Sequence, residues 1–391
     1  ASGLASWQWL TMLRLTKDGY IGAPQRHTLN LNQTSIKTHN MHRTLSLAIL
    51  TAICLLVTSS SEHKTTIFMV GDSTMADKDI STGSPERGWG MVLQGCFTDD
   101  IIVENHAKNG RSSISFINEG LWQKVLERIK PGDYVFIQFG HNDEKHDKPG
   151  KAKRFAKPGS SFDDNLTRYV SETRERGGIP VLFNSVERRL FFDARKAESA
   201  KRDSLARSKT AKADDETLRD VEYGDEEVNT LYLVPTHYTL DGDYTAVPRI
   251  VAKKTGTPFV DATTISHNME QDHGVVGSRK LHVWLKPGEI ASIPKGRRDN
   301  THYSIYGAHV IANLLADAIG DAVPALKPYV RHYDYVVSAE GRGNYMTVED
   351  AVADIPQGKK TTILILDGKH KRPSTGKNIR YEAREGGEVT K

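Results

Sequence analysis

Three residue types that together can open an ester stand far apart in this chain: a serine at 73, an aspartate at 299 and a histidine at 302. A serine hydroxyl attacks a carbonyl only when a neighbouring base takes its proton, and the usual base is an imidazole held in one tautomer by a carboxylate. Asp299 and His302 lie three positions apart in "RRDNTHYSIYGAHVIA", where one turn of backbone brings both side chains to the same side. Ser73 sits in "TTIFMVGDSTMADK", where a run of apolar and β-branched residues stops at Gly71-Asp72-Ser73-Thr74. Purely structural roles also suit these residues. Asp72, Ser73 or Thr74 can cap a helix, Asp299 can cap the last helix, and His302 can be a surface histidine.

Acyl transfer also needs hydrogen-bond donors aimed at the oxygen on which charge develops. Two stretches supply them. In "NHAKNGRSS", Gly110 lets the backbone approach an ester closely, and in "FIQFGHND" the amide of Asn142 follows a strand. Each stretch on its own reads equally well as a turn. His141, Asp143, Glu144, His146 and Asp147 crowd the second one, but their spacing matches no metal-ligand pattern, so a solvated loop is expected. Arg188 and Arg189, after the fourth strand, can meet uronic acid carboxylates or lie on the surface. No cofactor or metal is expected.

These residues need a frame that brings distant segments together. Strands are expected at Thr66–Val70, Ile101–Glu104, Tyr134–Phe139, Ile179–Asn184 and in "TPFVDA". Helices are expected at Gly90–Phe97, Ile114–Ile129, Asp163–Glu175, Tyr244–Lys254 and Ser304–Ile319. The strands are continuous apolar runs, as a sheet covered on both faces requires. The pattern predicts an α/β fold, a doubly wound parallel sheet with helices on both faces. In such a sheet the ligand crevice lies beyond the carboxyl ends of the strands, which is where Ser73 falls. A charged insertion at about 191–229 interrupts the alternation and reads as a solvated excursion. From Tyr333 the texture becomes strand, turn, helix, strand, a short β-rich fragment.

The totals exclude some partners. With 53 basic and 49 acidic residues the net charge is only +4, which leaves no single-sign field for nucleic acid or an acidic membrane. Cys54 and Cys96 cannot build a disulfide framework. Met41-His42-Arg43 followed by "TLSLAILTAICLLVTSSS" has the basic, apolar, small-residue order of a signal peptide, so residues 41–61 are expected to be removed and the protein to be secreted or periplasmic. Residues 1–40 precede that start as a leader without periodicity.

Taken in order, Gly71-Asp72-Ser73, Gly110, Gly140-His141-Asn142-Asp143 and Asp299-Asn300-Thr301-His302 resemble the four blocks of the SGNH (GDSL-type) hydrolase family. "GDSTMA", "NGRSSISFINEG", "PGDYVFIQFGHND" and "DNTHYSIYGA" resemble its rhamnogalacturonan acetylesterase branch, over about Thr65 to Val330. The resemblance implies a flavodoxin-like sheet and removal of O-acetyl groups from plant polysaccharide without a metal. It makes Ser73 the nucleophile, His302 the base and then the acid, and Asp299 its orienter. The Ser73 and Gly110 amides and the Asn142 side chain become the oxyanion hole. The expected partner is an acetylated pectic polysaccharide or oligosaccharide.

The chain departs from the branch in the charged insertion, which puts substrate specificity in question. Within the tail, Tyr333 to Gly368 resembles the opening coil of a pectin methylesterase in "YVVSAEGRGNYMTVEDAVADIP" and "TTILILDG", and the resemblance fades after Gly368. A lone coil cannot bury its faces, so this tail is expected to be poorly ordered or loosely docked and inactive. The domain plan is thus a leader at 1–40, a signal peptide at 41–61, a hydrolase domain at 62–330 and a tail at 331–391. Two other functions fit the same residues, a lipase- or thioesterase-like hydrolase of small acyl esters and a non-catalytic carbohydrate-binding relative.

Overall fold

A parallel sheet buried on both faces leaves no solvent side for polar residues, and the apolar runs of this chain build one. The computed structural model describes residues 64–147, 149, 153–193, 231–233 and 235–390. The leader at 1–40, the signal peptide at 41–61 and residues 194–230 of the insertion lie outside the described residues. The central strands are β1 (Thr65–Gly71), β2 (Ile101–Asn105), β3 (Tyr134–Gln138), β4 (Ile179–Phe183) and β5 (Phe259–Val260). Their order is β5-β4-β3-β1-β2, with every neighbour parallel. This is the flavodoxin-like order, and its winding reverses between β1 and β3, the place where such sheets open a crevice.

Alternate strand residues feed two cores. On one face Ile67, Met69, Phe136, Val181 and Phe183 pack with α1 (Trp89–Val92), α6 (Ala262–Gly277) and α7 (Ile305–Ala322). On the other, Phe68, Val70, Val135, Ile137 and Leu182 pack with α3 (Leu121–Leu126), α4 (Ser161–Glu175) and α5 (Ala246–Thr255). Each such side chain contributes roughly 1.5–3 kcal/mol on burial.

Several elements differ from expectation for identifiable reasons. The single helix expected over Ile114–Ile129 is two, α2 (Ser113–Asn118) and α3, because Gly120 between them takes a left-handed φ of 71° that no helix interior accommodates. The helix expected at Gly90–Phe97 is α1 followed by a 3₁₀ turn over Leu93–Cys96. Pro248 is accommodated in the first turn of α5, where a backbone N–H has no intrahelical partner to lose. Helix α6 has no counterpart among the expectations, since its apolar residues are too sparse to show a stripe. The insertion leaves and returns on one ribbon, Phe191–Asp193 paired antiparallel with Leu231–Leu233.

A second, antiparallel sheet joins β6 (His282–Leu285), β7 (Arg297–Ser304) and the two-residue strand Glu86–Arg87. The C-terminal strands are β8 (Tyr335–Ser338), β9 (Thr361–Lys371), β10 (Ile379–Ala383) and β11 (Gly387–Thr390), all paired parallel. The expectation of a poorly ordered or loosely docked tail is corrected here. Val337, Ile363 and Ile365 pack on α8 (Val348–Ala353), while Val336, Leu364 and Leu366 are buried on the opposite face. The buried Arg87 donates from Nε to the Gly341 carbonyl at 2.9 Å, and Arg384 donates from Nη2 to the Phe97 carbonyl at 3.0 Å. The coil covers its second face by borrowing the α/β body, and both fall in one unit, Lys64–Lys391. Among the described residues, no helix is long and apolar enough to cross a membrane.

Candidate active site

The chain turns immediately after β1, and Asp72 governs the turn. Its carbonyl accepts the amides of Met75 and Ala76 at 3.3 and 3.0 Å, and its Oδ1 accepts the Thr74 amide and hydroxyl at 2.9 and 2.8 Å. Asp72 thus takes the turn-stabilising role open to any of the three polar residues. The Ser73 hydroxyl is left to meet His302 Nε2 at 2.9 Å.

Asp299 and His302 come together by a route other than a turn of helix. On a regular strand, residues three apart point to opposite faces. Here His282 pairs with Tyr303 and Trp284 with Arg298, so Asp299–His302 bulge out of β7 opposite the single residue Val283. Asp299 Oδ1 closes the bulge by accepting the amides of Thr301 and His302 at 2.8 and 2.9 Å. Its Oδ2 receives His302 Nδ1 at 2.9 Å. Neither residue caps α7; Ser304 does, accepting the Gly307 amide at 3.1 Å. Burial by itself would raise the Asp299 carboxyl, but hydrogen bonds and charge from His302, with the two amides, hold it well below the usual carboxylate range.

The Gly110 loop stands beside the Ser73 loop because pairing of β1 with β2 runs on past the strands. His106 donates to the Met69 carbonyl at 2.8 Å and Lys108 to the Gly71 carbonyl at 3.0 Å. Gly110 has φ 74°, a conformation that a side chain would strain. Asn142, in the loop after β3, donates from Nδ2 to the carbonyl of Arg111 at 3.0 Å and accepts Lys145 Nζ at Oδ1, 3.2 Å away. These two contacts fix which end of the amide is which, and they tether Asn142 one residue from Gly110. Ser73, Asp299 and His302 therefore form one hydrogen-bonded chain, and Gly110 and Asn142 are joined through Arg111.

The cluster after β3 is not the solvated loop expected of it. His141, Asn142 and Asp143 are buried, and the Glu144 side chain is only 5% exposed; His146 alone of the histidines in that stretch is open, at 69%. His141 Nδ1 lies 3.2 Å from Asp72 Oδ2 without hydrogen-bond alignment, and its ring meets that of His237 edge-on at 4.3 Å. Burial, helped by the charge of His237, pushes the His141 imidazole down to about 4. Burial pushes the Asp143 carboxyl up to about 7 against the hydrogen bonds from Ser113. Glu144 is held low; burial opposes this, and His237 and Arg188 overcome it.

Neither arginine after β4 behaves as expected. Arg188 is spent on Glu144, and Arg189 is fully buried, its guanidinium stacked 4.7 Å over the Trp284 ring. Arg189 matters to the site indirectly. Its backbone amide donates to the Asn300 carbonyl at 2.8 Å and its Nη1 to Asn300 Oδ1 at 3.2 Å, inside the Asp299–His302 bulge. Sequence reasoning also missed Lys78, Glu86 and Arg297, which surround the triad with charge. Arg297 bridges Asp299 Oδ2 and Glu86 Oε2. Ligand atoms of Glu86, Asp299 and His302 lie within 4.8 Å of one another, but the Arg297 guanidinium bridges both carboxylates and Lys78 pairs with Glu86 as well. The alternation of charge at Arg297 and Asp299 was the available signal; nothing marked Glu86.

Residues 69–283 match the model of the GDSL-like lipase/acylhydrolase family. The rhamnogalacturonan acetylesterase RhgT of Bacillus subtilis strain 168 is 33% identical over 276 residues, which is 71% of this chain and 96% of that protein. A second protein of the same strain, named "Probable rhamnogalacturonan acetylesterase YesY", is 30% identical over 214 residues, 50% of this chain and 96% of that one. The crystal structure of protein YXIM from Bacillus subtilis aligns with a TM-score of 0.45 at 19% identity, over 68% of this chain and 58% of that chain.

Proposed function

Because the chain belongs to the GDSL-like lipase/acylhydrolase family, we propose that it is a serine esterase removing O-acetyl groups from acetylated rhamnogalacturonan or a related pectic polysaccharide. The observation that carries this reading is the unbroken hydrogen-bond chain from Asp299 through His302 to the Ser73 hydroxyl, which follows the strand at which the winding of the sheet reverses. The similarity to RhgT, which spans nearly all of that protein, supports the substrate class.

In this mechanism Ser73 Oγ attacks the acetyl carbonyl carbon while His302 Nε2 takes the hydroxyl proton. Asp299 Oδ2 holds Nδ1–H and stabilises the imidazolium. Negative charge on the carbonyl oxygen is met by the Ser73 and Gly110 amides and by Asn142 Nδ2, whose other hydrogen goes to Arg111. The tetrahedral species collapses, the sugar oxygen leaves with the proton from His302, and acetyl remains on Ser73. Water then attacks the acetyl-enzyme with His302 as base, releasing acetate and restoring the serine. No step in this scheme requires a metal or cofactor.

A wall polysaccharide is too large to cross a membrane, so the enzyme works outside the cell, as the signal-type segment at 41–61 suggests. The pectin-methylesterase-like tail supports a pectic setting. Acetate release from acetylated rhamnogalacturonan, compared between the native protein and Ser73→Ala, tests the reading; equal release by both ends it. A series of p-nitrophenyl esters of rising acyl length distinguishes the lipase- or thioesterase-like alternative, which predicts faster turnover of the longer chains. Failure of Ser73 to react with a fluorophosphonate would favour a non-catalytic binder.

A further inference from the structure

Three charged side chains beside the triad have no part in the chemistry above. Arg297, two residues before Asp299, places one nitrogen on Asp299 Oδ2, the oxygen that also receives His302. Its other nitrogen, Nη1, donates to Glu86 Oε2 at 2.7 Å. Glu86 continues through Oε1, which lies 2.9 Å from Lys78 Nζ. Lys78 Nζ in turn donates to the backbone carbonyl of Ser73 at 2.5 Å and to Asn109 Oδ1 at 2.7 Å. The circuit leaves the Asp299–His302–Ser73 chain at its acid end and rejoins it at the nucleophile. It also touches the residue before Gly110.

We propose that Lys78, Glu86 and Arg297 are positioning residues, an ionic strut that fixes the nucleophile loop and the Gly110 loop against the Asp299–His302 bulge and poises His302 as a base. The kinetic part of this rests on the esterase reading. Burial argues for a strut over a surface decoration. The Lys78 side chain is 5% exposed and that of Glu86 13%, where ion pairs resist screening and losing one partner leaves a desolvated charge. The segments it joins are otherwise far apart in the chain, and a displacement of about 1 Å at a reacting group costs on the order of 10²-fold in rate.

The strut has opposite signs on its two sides of His302. The Glu86 carboxylate favours the imidazolium, and the Arg297 guanidinium opposes it. Among the described residues, the other groups that face the ring are Asp299, the Ser73 hydroxyl and Lys78 beyond Glu86, while His282, paired with Glu270, meets the His302 backbone carbonyl at 3.2 Å. Removing Glu86 and removing Arg297 therefore move His302 in opposite directions, which loss of packing does not do.

The experiment titrates the His302 imidazole by nuclear magnetic resonance in the native protein, Glu86→Gln and Arg297→Gln, with kcat and KM for p-nitrophenyl acetate measured across pH. The expected result is a midpoint about half a unit or more lower in Glu86→Gln and higher in Arg297→Gln, as facing charges dictate. In both, kcat falls about tenfold or more and KM changes less than about twofold, the pattern of a misplaced reacting group. Arg297→Lys returns the midpoint toward the native value. Should Glu86→Gln not fold, Glu86→Asp keeps the charge and shortens the reach, so it retains the midpoint while kcat falls. Unchanged midpoints and kcat in folded variants, with only a lower melting temperature, overturn the proposal. The titration needs no substrate, so it decides the electrostatic role of the strut even if Ser73→Ala were to leave acetate release intact and defeat the esterase reading.

Discussion

His302 with Asp299 and His141 with Asp72 are both histidine–carboxylate pairs next to Ser73, and they differ in alignment, burial and third partner. The outer pair is aligned at 2.9 Å, with side chains 24% and 13% exposed, and its free nitrogen meets a hydroxyl. The inner pair is 3.2 Å apart and not aligned, with side chains 3% and 0% exposed, and its ring abuts His237. The outer imidazole is partly open to solvent and has a carboxylate able to stabilise its charge. The inner one is desolvated and kept neutral, which suits a filler beneath the Ser73 loop. Residue identity is shared between the two pairs; what separates them is where a proton can go.

The sharpest way to break the comparison is to remove the outer hydroxyl or base. Ser73→Ala and His302→Ala each lower kcat on an acetyl ester by at least about 10⁴-fold in stopped assays of acetate release. Asp299→Asn follows at about 10³- to 10⁴-fold, since the amide holds the wrong tautomer of His302. Asn142→Ala lowers kcat by about 10²- to 10³-fold with little change in KM, the signature of a donor used mainly in the transition state.

The smallest effect belongs to the inner pair. His141 titrates at about 4 when folded and near its ordinary ~6.5 when unfolded, so between those values the unfolded chain binds more protons. Its contribution is intact above about pH 6.5 and is lost as pH falls toward 4, by at most about 3 kcal/mol. Urea unfolding at several pH values should show this loss in the native protein and not in His141→Gln, whose activity at neutral pH falls far less than that of His302→Ala. A loss of activity as deep as that of His302→Ala would erase the distinction between the two pairs.

How much of this was legible in the chain follows from where each residue sits. Ser73, Gly110 and Asn142 stand just beyond the ends of apolar strands, so strand prediction and the crevice rule carried them to one edge. Asp299 and His302 were found by spacing, although the reason given, a turn of backbone, was replaced by a bulge whose register depends on β6. Glu86 and Arg297 stayed hidden because their partnership spans 211 positions and belongs to no local pattern. The burial of Arg188 and Arg189 was missed for the same reason: their partners, Glu144, Ser278 and Asn300, come from other segments. The C-terminal coil was misjudged because its own sequence shows two apolar faces and says nothing of the surface that covers the second.

Glu86 and Arg87 are neighbours on one short extended segment, so their side chains leave in opposite directions. One reaches Arg297 and the bulge; the other reaches the Gly341 carbonyl of the terminal coil. The seat of the last strands and the aim of Ser73 are thereby geared through a single peptide unit, and loosening the former would be felt at the latter without any change in Ser73, Asp299 or His302.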